Sequence, residues 1–290
     1  MMDNSCDWIT EVYDPAGCAF GLKISKKLHS EQSEHQKIDI VETMEFGNTM
    51  LLNNCIALSD KNHFIYHEMM VHPAMLTHPA VRDVVIIGGG DCGALSEVLR
   101  HDAVRSVVQA APDERVTRLS EEYFPLLCAS NNDPRAELFF GDGADWVKNA
   151  DEESADLVII DSIGSSSDTE DFFNTPFYRG CLRMLRPGGI IIQQSQSPLL
   201  DLSLMTSMRS KLFESGFRSC QPLLFPLATF PSGWWSATMA RKDADIHGFR
   251  ERGAANLDFE TRYYNAEIHK SSLALPQFMV EHFQSTKTGN

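Results

Sequence analysis

Basic charge is scarce in this chain. Only 25 Lys and Arg stand against 40 Asp and Glu, a formal net charge of −15. Nucleic-acid binding needs clustered Lys and Arg to meet phosphates, so the chain is a poor candidate for it. The balance suits a cationic ligand, and equally the solubility charge of an ordinary acidic protein. Paired cysteines are missing too: the seven cysteines include no C-x-x-C pair, and their number is odd. That argues against a zinc site or a disulfide framework and for a reducing, cytoplasmic setting. No apolar run approaches the roughly 20 residues of a membrane span, so no membrane partner is expected. The opening MMDNSCDWITEV has neither the basic nor the apolar region of a signal peptide. Internal repeats and low-complexity tracts are absent as well.

What is present is enough apolar residue for a large core, 43% of 290. One large domain, or one with a small companion, is the expectation. Residues 17 to 60 read as short strands broken by the turn signals FGN and NN. From Phe64 the pattern changes. FIYHEMMVHPAML reads as a helix interrupted or capped near Pro73. Strands (DVVIIGGG, SVVQAA, AELFFGDG, ADLVIIDS, GGIIIQQS) then alternate with helical segments (ALSEVLRH, DERVTRLSEEYF, GADWVKNA, PFYRGCLRML). Continuous Val/Ile runs mark strands covered on both faces, hence a parallel, doubly wound α/β sheet. After another helix, PLLFPLATF and WWSATMARK read as two last strands, and the tail from Phe259 reads as a helical segment. The expected layout is an N-terminal antiparallel β-hairpin unit over 1–63. A Rossmann-like, methyltransferase-type sheet of seven mostly parallel strands follows over 64–290.

One motif stands out. Gly88, Gly90 and Gly93 in VVIIGGGDCGALSE fit G-x-G-x-x-G between a strand and a helix, the context of a nucleotide-binding loop. Such loops pair with an Asp or Glu at the end of the next strand that grips the ribose. Here that place holds Ala111. The other strand ends carry Asp91, Asp142, Asp161 and Gln194, so three carboxylates and an amide are expected to converge on one crevice. Clustered carboxylates need a counter-charge to stay ionised, and a cationic ligand would supply it. His67 and His72 lie on the preceding helix, but no His–Asp spacing suggests a metal, and none is expected.

The joint run of YHEM, GGGD, GDG, LVIIDS, TFPSG and RYYNAEIHKSSLALPQF resembles the polyamine aminopropyltransferases, spermidine synthase and its relatives, from about Gln36 to Phe278. The resemblance implies a cytoplasmic transferase. It moves an aminopropyl group from decarboxylated S-adenosylmethionine, a co-substrate rather than a prosthetic group, to putrescine or a similar amine. Methylthioadenosine is the other product. It implies a homodimer or homotetramer. Carried over by residue, Asp161 is the proton acceptor and Tyr66 orients the attacked amine. His67 and Asp91 line the polyamine and aminopropyl path, and Gln194 lies near the diamine. Gln36 contacts the methylthioadenosine portion, and Asp142 and Gly143 contact adenine.

Several positions depart from that pattern. Ala111 replaces the ribose glutamate, Gly164 a second substrate aspartate, Phe230 a tyrosine and Ala57 a glutamine, while Cys92 and Ser96 interrupt the glycine loop. Asp113 and Glu114 stand just beyond Ala111, where they could substitute from another angle. A hydrogen bond to a charged group contributes on the order of 1.5–3 kcal/mol. Losing two such contacts would weaken binding by roughly two to four powers of ten. The readings left open are an aminopropyltransferase of altered efficiency or acceptor choice, a non-catalytic relative that binds a polyamine or a partner subunit, and a different transferase on the same scaffold.

Overall fold

The computed structural model describes residues 8–162, 174–246 and 248–285. Gly164 and the rest of the DSIGSSSD stretch beyond Ser162 lie outside the described residues.

Five antiparallel strands form the first sheet in sequence order: β1 (Trp8–Tyr13), β2 (Cys18–Gln32), β3 (Lys37–Thr43), β4 (Gly47–Leu52) and β5 (Cys55–Ser59). The two-residue loop between β4 and β5 is Asn53–Asn54, both left-handed at φ 50° and 67°. Asparagine tolerates that region, and such turns match the twist of a hairpin. β1 lies outside the span read as strands from sequence.

The second sheet has seven strands in the order β11-β12-β10-β9-β6-β7-β8. They are β6 (Asp83–Gly88), β7 (Ser106–Ala111), β8 (Ala136–Phe140), β9 (Ala155–Asp161), β10 (Leu185–Gln194), β11 (Ser219–Pro226) and β12 (Trp234–Arg241). All ladders are parallel from β10 to β8, while β12 runs antiparallel to both β10 and β11. The apolar runs explain why the sheet is covered twice. Ile86, Ile159 and Ile192 enter one core with helices α1 (His63–Thr77), α2 (Gly93–Leu99) and α3 (Glu114–Tyr123). Their neighbours Ile87, Ile160 and Ile191 enter a second core with α5 (Thr175–Met184) and α6 (Leu202–Ser215). Side chains alternate across a strand, so a strand with two buried faces must be apolar at every position. The remaining helices are α4 (Gly143–Asn149), α7 (Glu251–Ala255), α8 (Ala266–Ser272) and α9 (Gln277–Ser285).

Two expectations change. α1 does not stop at Pro73; it runs unbroken from His63 to Thr77, every residue from Tyr66 onward buried. The missing proline N–H removes one helical bond, and packing on all sides of α1 outweighs that cost. The C-terminal tail is not one helical segment: residues 256–265 are non-helical and precede two short helices.

Strand order reverses between β6 and β9, because the chain proceeds outward through β7 and β8 and then returns to the other side of β6. Ligands of open α/β sheets bind at such a reversal, beyond the carboxyl ends of the strands. Gly88 and Asp161 are register partners there.

Candidate active site

The glycine loop wraps closely around the end of β9. Gly88, at φ 86°, leaves no room for a side chain: a Cβ would sit 2.2 Å from the Asp161 carbonyl oxygen. Gly93 opens α2 under the ring of His67, where a Cβ would lie 2.2 Å from Cε1. Between them Cys92 adopts a left-handed conformation, φ 65°. That costs a non-glycine residue roughly 1–2 kcal/mol, which is the physical sense of glycine in the related pattern.

Three buried side chains from three elements meet at this place: His67 of α1, Asp91 of the loop and Asp161 of β9. One ligand atom from each lies within 4.8 Å of the others. Tyr66, also on α1, donates its hydroxyl to Asp161 Oδ1 at 2.7 Å. The other Asp161 oxygen is buried and has no partner. His67 Nε2 stands 3.4 Å from Asp91 Oδ2, and Asp91 Oδ1 accepts the Gly93 backbone N–H at 2.8 Å.

These distances set the electrostatics. Burial, followed by the charge of Asp91, pushes the Asp161 carboxyl up to about 6, against the opposing pull of His67 and the Tyr66 hydrogen bond. Burial disfavours a charged His67, but Asp91 outweighs it, with help from Asp161 and Glu97, and the imidazole rises to about 9. Burial would raise Asp91, and the His67 charge instead holds it below the usual carboxylate range. His63, one turn before on α1, is pushed down to about 4 by burial first and then by the nearby His67 charge.

Gln194 is buried at the end of β10, one residue past the Gln193–Ile160 register pair. It therefore flanks Asp161; its amide N–H donates to the Ser162 carbonyl, and its oxygen has no partner. A small cavity of about 10 Å³ adjoins the cluster, lined by Ala57, His63, Tyr66, His67 and Phe230 among others. Phe230 places its ring centroid 6.1 Å from that of Tyr66.

Asp142 departs from the expected convergence. It is exposed and caps α4, accepting the Asp145 backbone N–H at 2.8 Å, a short local bond that its N-cap position favours. Gly143 is the buried first residue of the same helix. Asp142 instead borders an open cleft of about 630 Å³ beside Trp146 and Phe139, whose lining includes neither Asp91 nor Asp161.

Gln36, in the loop between β2 and β3, hydrogen-bonds Asp113 at 3.0 Å. Ala111 is buried at the end of β7, and its carbonyl accepts the Gly141 N–H, which aligns the ends of β7 and β8. Glu114 turns away to Arg118, 2.8 Å. The buried acid Glu68 went unread from sequence. Glu68 accepts three successive backbone N–H groups, from Arg262, Tyr263 and Tyr264, at 2.8, 2.9 and 2.6 Å, fastening the RYYN segment to α1. A carboxylate within a mostly apolar helical run was the available signal.

His67, Asp91 and Asp161 have the donor types for a divalent cation. Asp91 beside His67 favours the protonated imidazole, and a metal there would compete with that proton.

A family model described as the spermine/spermidine synthase domain matches residues 63–248, and one described as the spermidine synthase tetramerisation domain matches residues 7–60. The chain belongs to the spermine/spermidine synthase family. A polyamine aminopropyltransferase of Methylococcus capsulatus is 50% identical over 277 residues, 96% of this chain and 97% of the relative. Two solved family structures also superpose over nearly the whole chain. The spermidine synthase of Thermotoga maritima has TM-score 0.91 and 31% identity, covering 97% of this chain and 96% of its own. A spermidine synthase in complex with the transition-state analogue AdoDATO has TM-score 0.91 and 30% identity, covering 98% and 96%. The family fold and the α/β expectation agree throughout the described residues.

Proposed function

We propose that this protein transfers the aminopropyl group of decarboxylated S-adenosylmethionine to putrescine or a similar amine, releasing methylthioadenosine. The observation that carries this reading is Asp161: buried, held by Tyr66 on one oxygen, open on the other, and pushed up to about 6. An amine nitrogen attacks the propyl carbon next to the sulfonium. The C–N bond forms, the C–S bond breaks, and its electron pair neutralises sulfur. The new ammonium gives its proton to the free Asp161 oxygen. The sulfonium leaves as a neutral thioether and needs no acid, so the chain's remaining task is positioning.

In this reading Tyr66 fixes the Asp161 carboxylate and orients the amine, while Asp91 and His67 flank the aminopropyl path. Gln194 offers its free oxygen to an ammonium. Gln36, Asp142 and Gly143 are assigned to the nucleoside, Asp142 from its place as the cap of α4 and outside the buried acid cluster. No prosthetic group is required. Residues 64–290 form the catalytic unit. Residues 1–63 serve assembly into a homodimer or homotetramer, which the tetramerisation-domain match supports. A cytoplasmic location fits the free cysteines and the absence, among the described residues, of a helix long and apolar enough to cross a membrane.

The test is direct. Incubation with decarboxylated S-adenosylmethionine and putrescine should yield spermidine and methylthioadenosine in equal amounts, read by mass spectrometry. Methylthioadenosine without an aminopropylated amine would refute transfer, and neither product with any of several diamines would favour a non-catalytic relative.

A further inference from the structure

Resting on that reading, we infer that Asp113 anchors the ribose of the donor nucleoside in place of the absent acid at Ala111. Asp113 lies two residues beyond the end of β7, on the crevice side of the sheet, and is buried, 4% exposed. It caps α3, and α3 is fastened to the glycine loop. Thr117 donates its hydroxyl to the Gly90 carbonyl at 2.8 Å, and a Cβ on Gly90 would lie 3.1 Å from Val116 Cγ1. The Asp113 carboxylate is therefore held beside the loop that receives the nucleoside.

Its hydrogen bonds leave capacity for a ligand. Oδ1 accepts the Arg115 backbone N–H at 3.1 Å. Oδ2 accepts the Ser33 hydroxyl at 2.7 Å and the Gln36 amide at 3.0 Å. A carboxylate has about four acceptor sites, so one stays open to a ribose hydroxyl. The Arg115 guanidinium does not consume it, being held by both oxygens of Glu31 at 2.7 and 2.9 Å. Gln36 shares the same carboxylate, so the ribose would meet an acid and an amide together. The anchor has thus moved from a strand end to a helix cap, steadied by the loop between β2 and β3.

The experiment is a calorimetric comparison of methylthioadenosine with its 2′-deoxy and 3′-deoxy forms, on the full chain and on Asp113→Ser. Serine keeps the helix cap but removes the carboxylate; Asp113→Asn, another strong cap, serves if the serine variant folds poorly by circular dichroism. Wild type should lose about tenfold or more in affinity on removal of a ribose hydroxyl, the size of one charge-assisted contact. Asp113→Ser should bind methylthioadenosine about tenfold more weakly and no longer distinguish it from at least one deoxy form. Full discrimination retained in both variants overturns the assignment and leaves the proposed function standing, as does a wild type that binds methylthioadenosine without discriminating. A wild type that binds no nucleoside overturns both.

Discussion

The two halves of the site handle polar groups in opposite ways. Around Asp161 the charges are buried, crowded and only partly satisfied: one Asp161 oxygen and the Gln194 oxygen have no partner. Around Asp113 and Asp142 each carboxylate is bonded to backbone or to neighbouring side chains. A buried unsatisfied acceptor is expensive, and in the proposed function the substrate's amine supplies the missing donor. The second half is more fully bonded, with one acceptor site of Asp113 left for a ligand. His67 illustrates the difference, because its proton supplies the positive charge that a cationic amine would bring to the Asp91–Asp161 pair.

The sharpest way to separate the halves is Asp161→Asn. An amide cannot take the amine's proton, so turnover should fall by about 10²–10⁴-fold, while methylthioadenosine affinity should change by less than about threefold. Equal losses in both would mean that the halves are not independent.

Stability should follow the His67–Asp91 pair. The folded imidazole sits at about 9, above the ordinary value of 6.5. Its contribution is therefore full below about pH 6.5 and lost as pH rises through 9. His67→Gln should cost on the order of 3 kcal/mol in urea unfolding at pH 6, with a clearly smaller difference at pH 9.5. A cost independent of pH would show that packing against Gly93, not charge, is what His67 provides.

A smaller effect is expected at Tyr66. The acid limb of kcat/KM should lie near pH 6, where Asp161 ionises. Tyr66→Phe should lower kcat by about tenfold and shift that limb upward, since the lost hydrogen bond favours the carboxylate. An unmoved limb would assign it to another group.

The mildest change belongs to the nucleoside half. Ala111→Glu placed on Asp113→Ser should recover about tenfold in methylthioadenosine affinity, and should gain less on the wild type, where Asp113 is present. The reverse order would return the ribose to the end of β7.

Much of this was legible in residue order. The Val/Ile runs specify strands with two covered faces, the glycine spacing specifies a tight strand-to-helix turn, and YHEM, GGGD and LVIIDS name the groups that meet around Asp161. Those features are local: each depends on side-chain period or on backbone conformations that neighbouring residues allow. The sequence also determined the acidic balance and the missing acid at Ala111. Tertiary structure alone decided which carboxylates share a pocket. Asp91 and Asp161 stand on segments brought together by the strand reversal, while Asp142, equally placed at a strand end, turns to cap its own helix. It also carried α1 through Pro73, because burial on every side outweighs one lost backbone bond. And it joined Ser33 and Gln36 to Asp113 across 80 and 77 residues of chain, since hydrogen bonds and charge act through distance in space, which no spacing along the sequence records.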